Sequence, residues 1–131
     1  MQNAEFKIII MREENLIVSK SYAFALSIVK ACKAIIKNYD EIVLARQLLK
    51  SGTSIGANIH EAVRAQSKSD FIAKMSISLK ESYETEYWLS LLKDSGYLTI
   101  DEFNSLYKEN CDITNILSRI IISSKANQEQ E

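Results

Sequence analysis

Apolar residues recur at steps of three and four along most of the chain. Between Asn15 and Asn38 the stripe runs through Ala25, Ile28, Cys32 and Ile35 toward Tyr39, and Phe24, Val29 and Ile36 widen it. That spacing is one face of an α-helix. The triplet Asn38-Tyr39-Asp40 predicts a turn, with Asp40 as N-cap of the next helix. A second stripe follows through Ala45, Leu48, Gly52, Ile55, Ile59 and Ala62. It predicts one helix from Glu41 to Gln66, about 40 Å long at about 1.5 Å per residue.

This second stripe passes through Ser-Gly-Thr-Ser-Ile-Gly (51–56) without losing phase. A loop has no reason to keep helical phase, so the glycines are expected inside the helix. Each interior glycine costs about 1 kcal/mol relative to alanine. Close approach of a neighbouring helix at Gly52 and Gly56 is the expected offset.

Ser67, with Asp70 three residues on, resembles a capping box ahead of Phe71-Ile72. The third helix is predicted to run to Asp94, with its stripe at Phe71, Met75, Ser78 or Leu79, Ser82, Glu86 and Leu89. Gly96 suits a left-handed C′ position, and Tyr97 can fold back on the last turn. Thr99 with Glu102 is a second capping box, opening a helix with Phe103, Leu106, Asn110, Ile113, Leu117 and Ile120 on one face. Cys111, Ile116 and Ile121 widen that face.

Four amphipathic helices with short connections predict an all-α, antiparallel up-down-up-down four-helix bundle over residues 12–126. Residues 1–11 are expected to be an N-terminal extension, in which FKIII either adds a short strand or packs on a neighbour. Residues 127–131 are expected to be a polar, fraying tail. Composition agrees: the 131 residues include no proline and only three glycines, so long helices and few loops are expected. No apolar run approaches the roughly 20 residues of a membrane span. The N-terminal apolar run is too short, and too acidic in its surroundings, for a signal peptide. A cytoplasmic protein is expected.

The net charge of -1 gives no support for nucleic-acid binding through bulk charge. A local stripe is a separate matter. Arg46 and Lys50 lie one turn apart, as do Arg64 and Lys68, and Lys37 and Lys74 are nearby. These are candidate phosphate contacts.

Catalytic chemistry finds little foothold. The single histidine, His60, has Ala57 three positions before it, so the Glu-x-x-His of a di-iron bundle is missing. There is no HExxH, phosphate loop or nucleophile elbow. Cys32 and Cys111 have no CxxC spacing and fall on apolar stripes, as small buried thiols do. No catalytic residue, metal or cofactor is expected.

Polar residues at bundle-facing positions are the unusual chemistry. Ser54, Asn58 and Glu61 lie on one side of the second helix, and Ser78, Glu81, Ser82 and Glu86 on the third. They form either an internal network that fixes helix register or a binding site. A small-molecule or metal site around Glu61, Glu81 and Glu86 is the further alternative. Val43, Leu44 and Leu49 lie off the main stripe, and surplus apolar surface predicts a homo-oligomer. Tyr83, Tyr87 and Trp88 read as core and interface aromatics.

The segments SIGANIHEA, QSKSDFIAKMSISLKE and ETEYWLSLL closely resemble the bacterial four helix bundle protein family, which includes the proteins encoded by intervening sequences of 23S rRNA genes. The resemblance covers residues 12–125. It is also similar to the accessory proteins of diversity-generating retroelements. The resemblance implies a four-helix bundle that assembles as a pentameric ring. It also implies an association with RNA, DNA or a nucleic-acid-processing partner such as a reverse transcriptase. The chain departs from the basic retroelement members in its net charge. The resemblance brings no catalytic residues.

Overall fold

A computed structural model describes residues 4–130. Four helices follow one another: α1 (Ala4–Tyr39), α2 (Ile42–Ala62), α3 (Lys68–Asp94) and α4 (Ile100–Gln130). α1 packs on α2 and α4, α2 on α3, and α3 on α4, with no diagonal contact among the described residues. The connections are two, five and five residues long. Such short links force each helix to run antiparallel to the one before. The result is an all-α, up-down-up-down four-helix bundle.

Two ends differ from the sequence expectation. α1 begins at Ala4, so the FKIII segment is neither strand nor detached extension but the first turns of a helix about 54 Å long. At the other terminus α4 continues to Gln130, through most of the expected tail. Side-chain contacts tie these ends to the bundle. Arg119 Nε of α4 meets Glu13 Oε1 of α1 at 2.9 Å, and Gln128 Nε2 donates to Ser69 Oγ of α3 at 2.7 Å. Residues 1–3 of the expected extension and Glu131 of the expected tail lie outside the described residues.

The turns follow from their caps. Asp40 is not the N-cap of α2. It takes φ of 55° and donates its N–H to Ile36 O at 2.9 Å, so it closes α1 instead. Glu41 caps α2 through Oε2, which accepts from Leu44 N at 3.2 Å. α2 also stops at Ala62, four residues short of Gln66. Ser67 must be extended (φ -143°) for its Oγ to accept from Asp70 N, so the chain leaves helical geometry before it. At the end of α3, Gly96 has φ of 88°, its N–H reaches Lys93 O at 3.1 Å, and Tyr97 N reaches Leu92 O at 2.8 Å. This double closure needs a residue free of the Cβ penalty at Gly96. Thr99 and Glu102 cap α4 reciprocally, at 2.8 and 3.1 Å.

The core holds Ile17, Phe24, Ile28 and Ile35 of α1, the full Ala45-to-Ala62 stripe of α2, and Ile113, Leu117 and Ile120 of α4. α3 contributes Met75, Leu89 and Leu92 with Ser78, Ser82 and Thr85, all fully buried. Phe71 and Glu86, expected on that stripe, are only half-buried, and Ile72 and Thr85 hold the inward positions. Gly52 faces Ile28, and a Cβ there would lie 2.8 Å from Ile28 Cγ1. Gly56 faces the α1 backbone, with Ser21 O 3.4 Å from an added Cβ. The α1–α2 approach is therefore close at both positions.

Candidate functional site

The internal polar contacts lie on a different set of residues from the expected one. Ser54 Oγ donates to Lys50 O and Asn58 Nδ2 to Ser54 O, both within α2, and Glu61 is exposed. The inward hydroxyl of α2 is Ser51, which accepts from Thr85 Oγ1 of α3 at 3.0 Å. Ser78 Oγ crosses from α3 to Ile55 O of α2 at 2.8 Å. On the α4 side, Asn110 Nδ2 donates to Ser82 O at 2.9 Å, and Thr114 Oγ1 to Ser82 Oγ at 3.1 Å. These groups form a buried polar seam through α2, α3 and α4.

The carboxylates remain at its edges. Glu86 Oε1 accepts from Tyr107 OH at 3.2 Å, and the Glu86 charge raises the phenol's pKa, with Cys111 adding to it. Glu81 has its pKa raised by burial and by neighbouring Glu84, against smaller opposing effects of Lys80 and Lys50. Glu61, Glu81 and Glu86 do not converge, and no three His, Cys, Asp or Glu side chains among the described residues could hold a metal ion. Three buried side-chain atoms have no hydrogen-bond partner among the described residues, Trp88 Nε1, Glu109 Oε2 and Asn110 Oδ1. Cys32 is buried, donates to Ala45 O at 3.3 Å, and burial pushes its thiol pKa to about 11. Such a thiol is a poor nucleophile. Cys111, expected in the core, is half-buried.

Of the candidate phosphate contacts, Arg46 and Lys50 lie exposed on one face of α2. Arg64 falls on the α2–α3 connection, exposed, with Nη1 donating to His60 O at 3.1 Å. Lys68 and Lys74 are half-buried at the start of α3. The structure thus splits the set between one face of α2 and one end of the bundle.

It also adds Lys30 and Lys33, which the sequence reading missed, to the expected Lys37. Lys30, Lys33 and Lys37 are exposed on α1 at steps of three and four, so they share a face. Cys32, beside Lys33, meets Ala45, beside Arg46, which sets the α1 and α2 basic residues at one level. None of Lys30, Lys33, Lys37, Arg46 and Lys50 forms an ion pair among the described residues. The missed signal was charge distribution. Residues 15–80 carry ten Lys and Arg against four Asp and Glu, and residues 81–131 carry four against ten. A net charge of -1 conceals that separation.

Apolar groups are exposed on two sides. Val18 and Tyr22 of α1 flank a groove of about 290 Å³ over Gly56 and Ala57 of α2. On α3, Ile77, Tyr83 and Tyr87 are exposed, and Tyr87 meets Trp88 edge-on at 5.0 Å. No helix among the described residues is long and apolar enough to cross a membrane.

Four chains of solved structures match this one, among them a strong structural neighbour. It is a protein of unknown function from the S23 ribosomal protein family of Bacteroides thetaiotaomicron. Its crystal structure matches with a TM-score of 0.82 and 45% identity, covering 83% of this chain and 97% of that one. A comparison with curated proteins finds no match. Neither the family nor the neighbour carries an enzyme's description. The family model described as 23S rRNA-intervening sequence protein matches residues 13–119, and the chain belongs to that family.

Proposed function

We propose that the protein is a non-enzymatic, ring-forming cytoplasmic bundle that serves as an interaction module for nucleic acid or a nucleic-acid-processing partner. The observation that carries this reading is the row of unpaired cations, Lys30, Lys33 and Lys37 of α1 with Arg46 and Lys50 of α2. A phosphate backbone is the ligand such a row suits. The family description names 23S rRNA as the setting of the intervening sequence.

Charge separation supports self-assembly. A basic face on one copy can meet the acid-rich side of the next, a head-to-tail contact that generates a ring when the rotation closes. Five copies is the number the family resemblance implies. The exposed Val18–Tyr22 groove and the Ile77–Tyr83–Tyr87 stripe supply two different apolar patches, as a head-to-tail contact needs.

Filter retention of the full chain with RNA and DNA at low salt tests the first half. Binding should weaken steeply with salt, and Lys33→Glu with Arg46→Glu should reduce the salt slope by about 1 per lost contact. Absence of retention at low salt overturns direct binding. Light scattering tests the second half, and a clean monomer at high concentration refutes the ring. The exposed α3 aromatics favour a second reading, a scaffold that binds only protein. Partners recovered unchanged after nuclease treatment would support it.

A further inference from the structure

The groove between α1 and α2, about 290 Å³, is walled by Val18, Tyr22 and Ala25 on one side and by Thr53, Ala57 and His60 on the other, over Gly56. Lys33 follows Tyr22 by eleven residues, and Arg46 precedes Thr53 by seven. Both intervals are close to whole numbers of helical turns, so an exposed cation continues each wall toward the α1–α2 turn. No acidic residue occurs in 15–39 or in 42–60. An apolar hollow therefore passes into a strip that carries positive charge alone.

The outer side of α3 is a ridge. Ala73, Ile77, Lys80, Glu84, Tyr87 and Leu91 follow steps of four and three, so they share one side of the helix. It is the side opposite the buried Met75, Ser82 and Leu89. Ile77 is 43% exposed and Tyr87 60% exposed, a surface of the kind that meets another protein.

Contacts between helices fix the heights of these two faces. Ser78 Oγ donates to Ile55 O at 2.8 Å, and Gly56, next to Ile55, lies against Ser21 of α1. Ile77 is therefore level with Tyr22 and the groove. Thr85 Oγ1 donates to Ser51 Oγ at 3.0 Å, which sets Glu84 level with Lys50. About one turn further, Tyr87 is level with Arg46. The apolar tip of the ridge thus has the hollow at its own height, and its carboxylate and ring each have a cation at theirs. The one cation of the ridge, Lys80, falls level with Thr53 and Ser54, clear of the cationic strip.

We infer that the groove is filled by the α3 ridge of a second copy of this chain, with Ile77 over Gly56 and Ala57, Glu84 against Lys50, and Tyr87 against Arg46. The inference rests on the head-to-tail assembly proposed above and supplies its contact. A ridge of one helix seated between two others is ordinary helix packing, opposite charges fix its register, and a tyrosine face accepts a guanidinium. Because the two faces are level, the rotation that carries one copy onto the next needs no shift along the bundle. Such a contact closes into a ring, whereas one with a shift climbs into a filament. The contact shares Arg46 and Lys50 with the cationic row and leaves Lys30, Lys33 and Lys37 to it.

Light scattering and oxidative cross-linking of the full chain test the contact. In a Cys111→Ala background, Ile77→Cys with Ala57→Cys should join copies into a ladder that ends at the assembly size seen by light scattering. Tyr87→Cys with Ala57→Cys, about 15 Å out of level, should not cross-link. Ala57→Glu, at an exposed position, fills the groove and should leave monomers with unchanged circular dichroism. Glu84→Lys and Lys50→Glu should each weaken assembly by about tenfold, and the two together should restore most of it. A ladder that runs on past the measured size overturns the level contact. No rescue by the double swap, or assembly indifferent to Ala57→Glu with no cross-link between positions 57 and 77, overturns it while leaving self-assembly standing. A monomer of the unaltered chain at high concentration overturns both.

Discussion

The two glycines of α2 make the same chemical change carry opposite consequences. Replacing either with alanine favours the helix by about 1 kcal/mol. At Gly56 the new Cβ would meet Ser21 O and Oγ at 3.4 Å, at the edge of ordinary contact. Gly56→Ala should therefore be neutral or stabilise by up to about 1 kcal/mol. At Gly52 the Cβ would sit 2.8 Å from Ile28 Cγ1 and 2.9 Å from Cγ2. Those atoms belong to a β-branched side chain with no exposure, next to its own backbone, so little can yield. Overpacking of this kind costs about 1–3 kcal/mol. Gly52→Ala should come out between unchanged and about 2 kcal/mol less stable. Gly52→Ala should be the less stable of the two, by up to about 3 kcal/mol in urea unfolding at constant m, or up to several degrees in Tm. Ile28→Ala removes both clashing atoms, so the double variant Ile28→Ala with Gly52→Ala should be more stable than the two single losses added together. Equal stabilisation by both alanines would refute the locked Ile28 contact.

Two further outcomes follow from titratable groups. Glu81 has a raised pKa in the folded chain, so its protonated form is favoured by folding, and that contribution is lost as pH rises through the folded value. Glu81→Gln should raise Tm at pH 7, with the gain shrinking below the ordinary value of 4.5; a gain that persists undiminished in acid would refute it. With its thiol at about 11, Cys32 is ionised to about one part in a thousand at pH 8. In a Cys111→Ala background, reaction with a thiol reagent should follow the unfolding rate, and rapid stoichiometric labelling of the native chain would contradict its burial.

The α2 stripe was legible because its apolar side chains keep phase on both sides of the glycines, and phase is a property of the pattern alone. The α4 capping box was legible because both members sit close in sequence. α3 was harder for a physical reason. Its inward positions include Ser78, Ser82 and Thr85, so polarity does not separate them from outward ones, and Thr85 could not be told from Glu86. A helix turns about 100° per residue, and the same small phase error put Ser54 inward where Ser51 lies. Asp40 was a good N-cap by residue type, but the two-residue turn left it to end α1. The charge separation was in plain view and disappeared only when charges were summed over the whole chain.

The polar seam has a consequence for which substitutions the bundle can absorb. Ser78 and Asn110 reach across to the backbone carbonyls of Ile55 and Ser82. A carbonyl is present whatever side chain its residue carries. Position 55 can therefore drift among apolar residues without disturbing the bond, whereas position 78 must keep a donor. Thr85 with Ser51, and Thr114 with Ser82, join side chain to side chain, but each of these hydroxyls also has a backbone carbonyl of its own helix within reach, so losing one member leaves the other partnered. Relatives of this bundle should therefore keep a donor at position 78 while position 55 varies among apolar residues, and should tolerate single changes at a bond like Thr85 to Ser51.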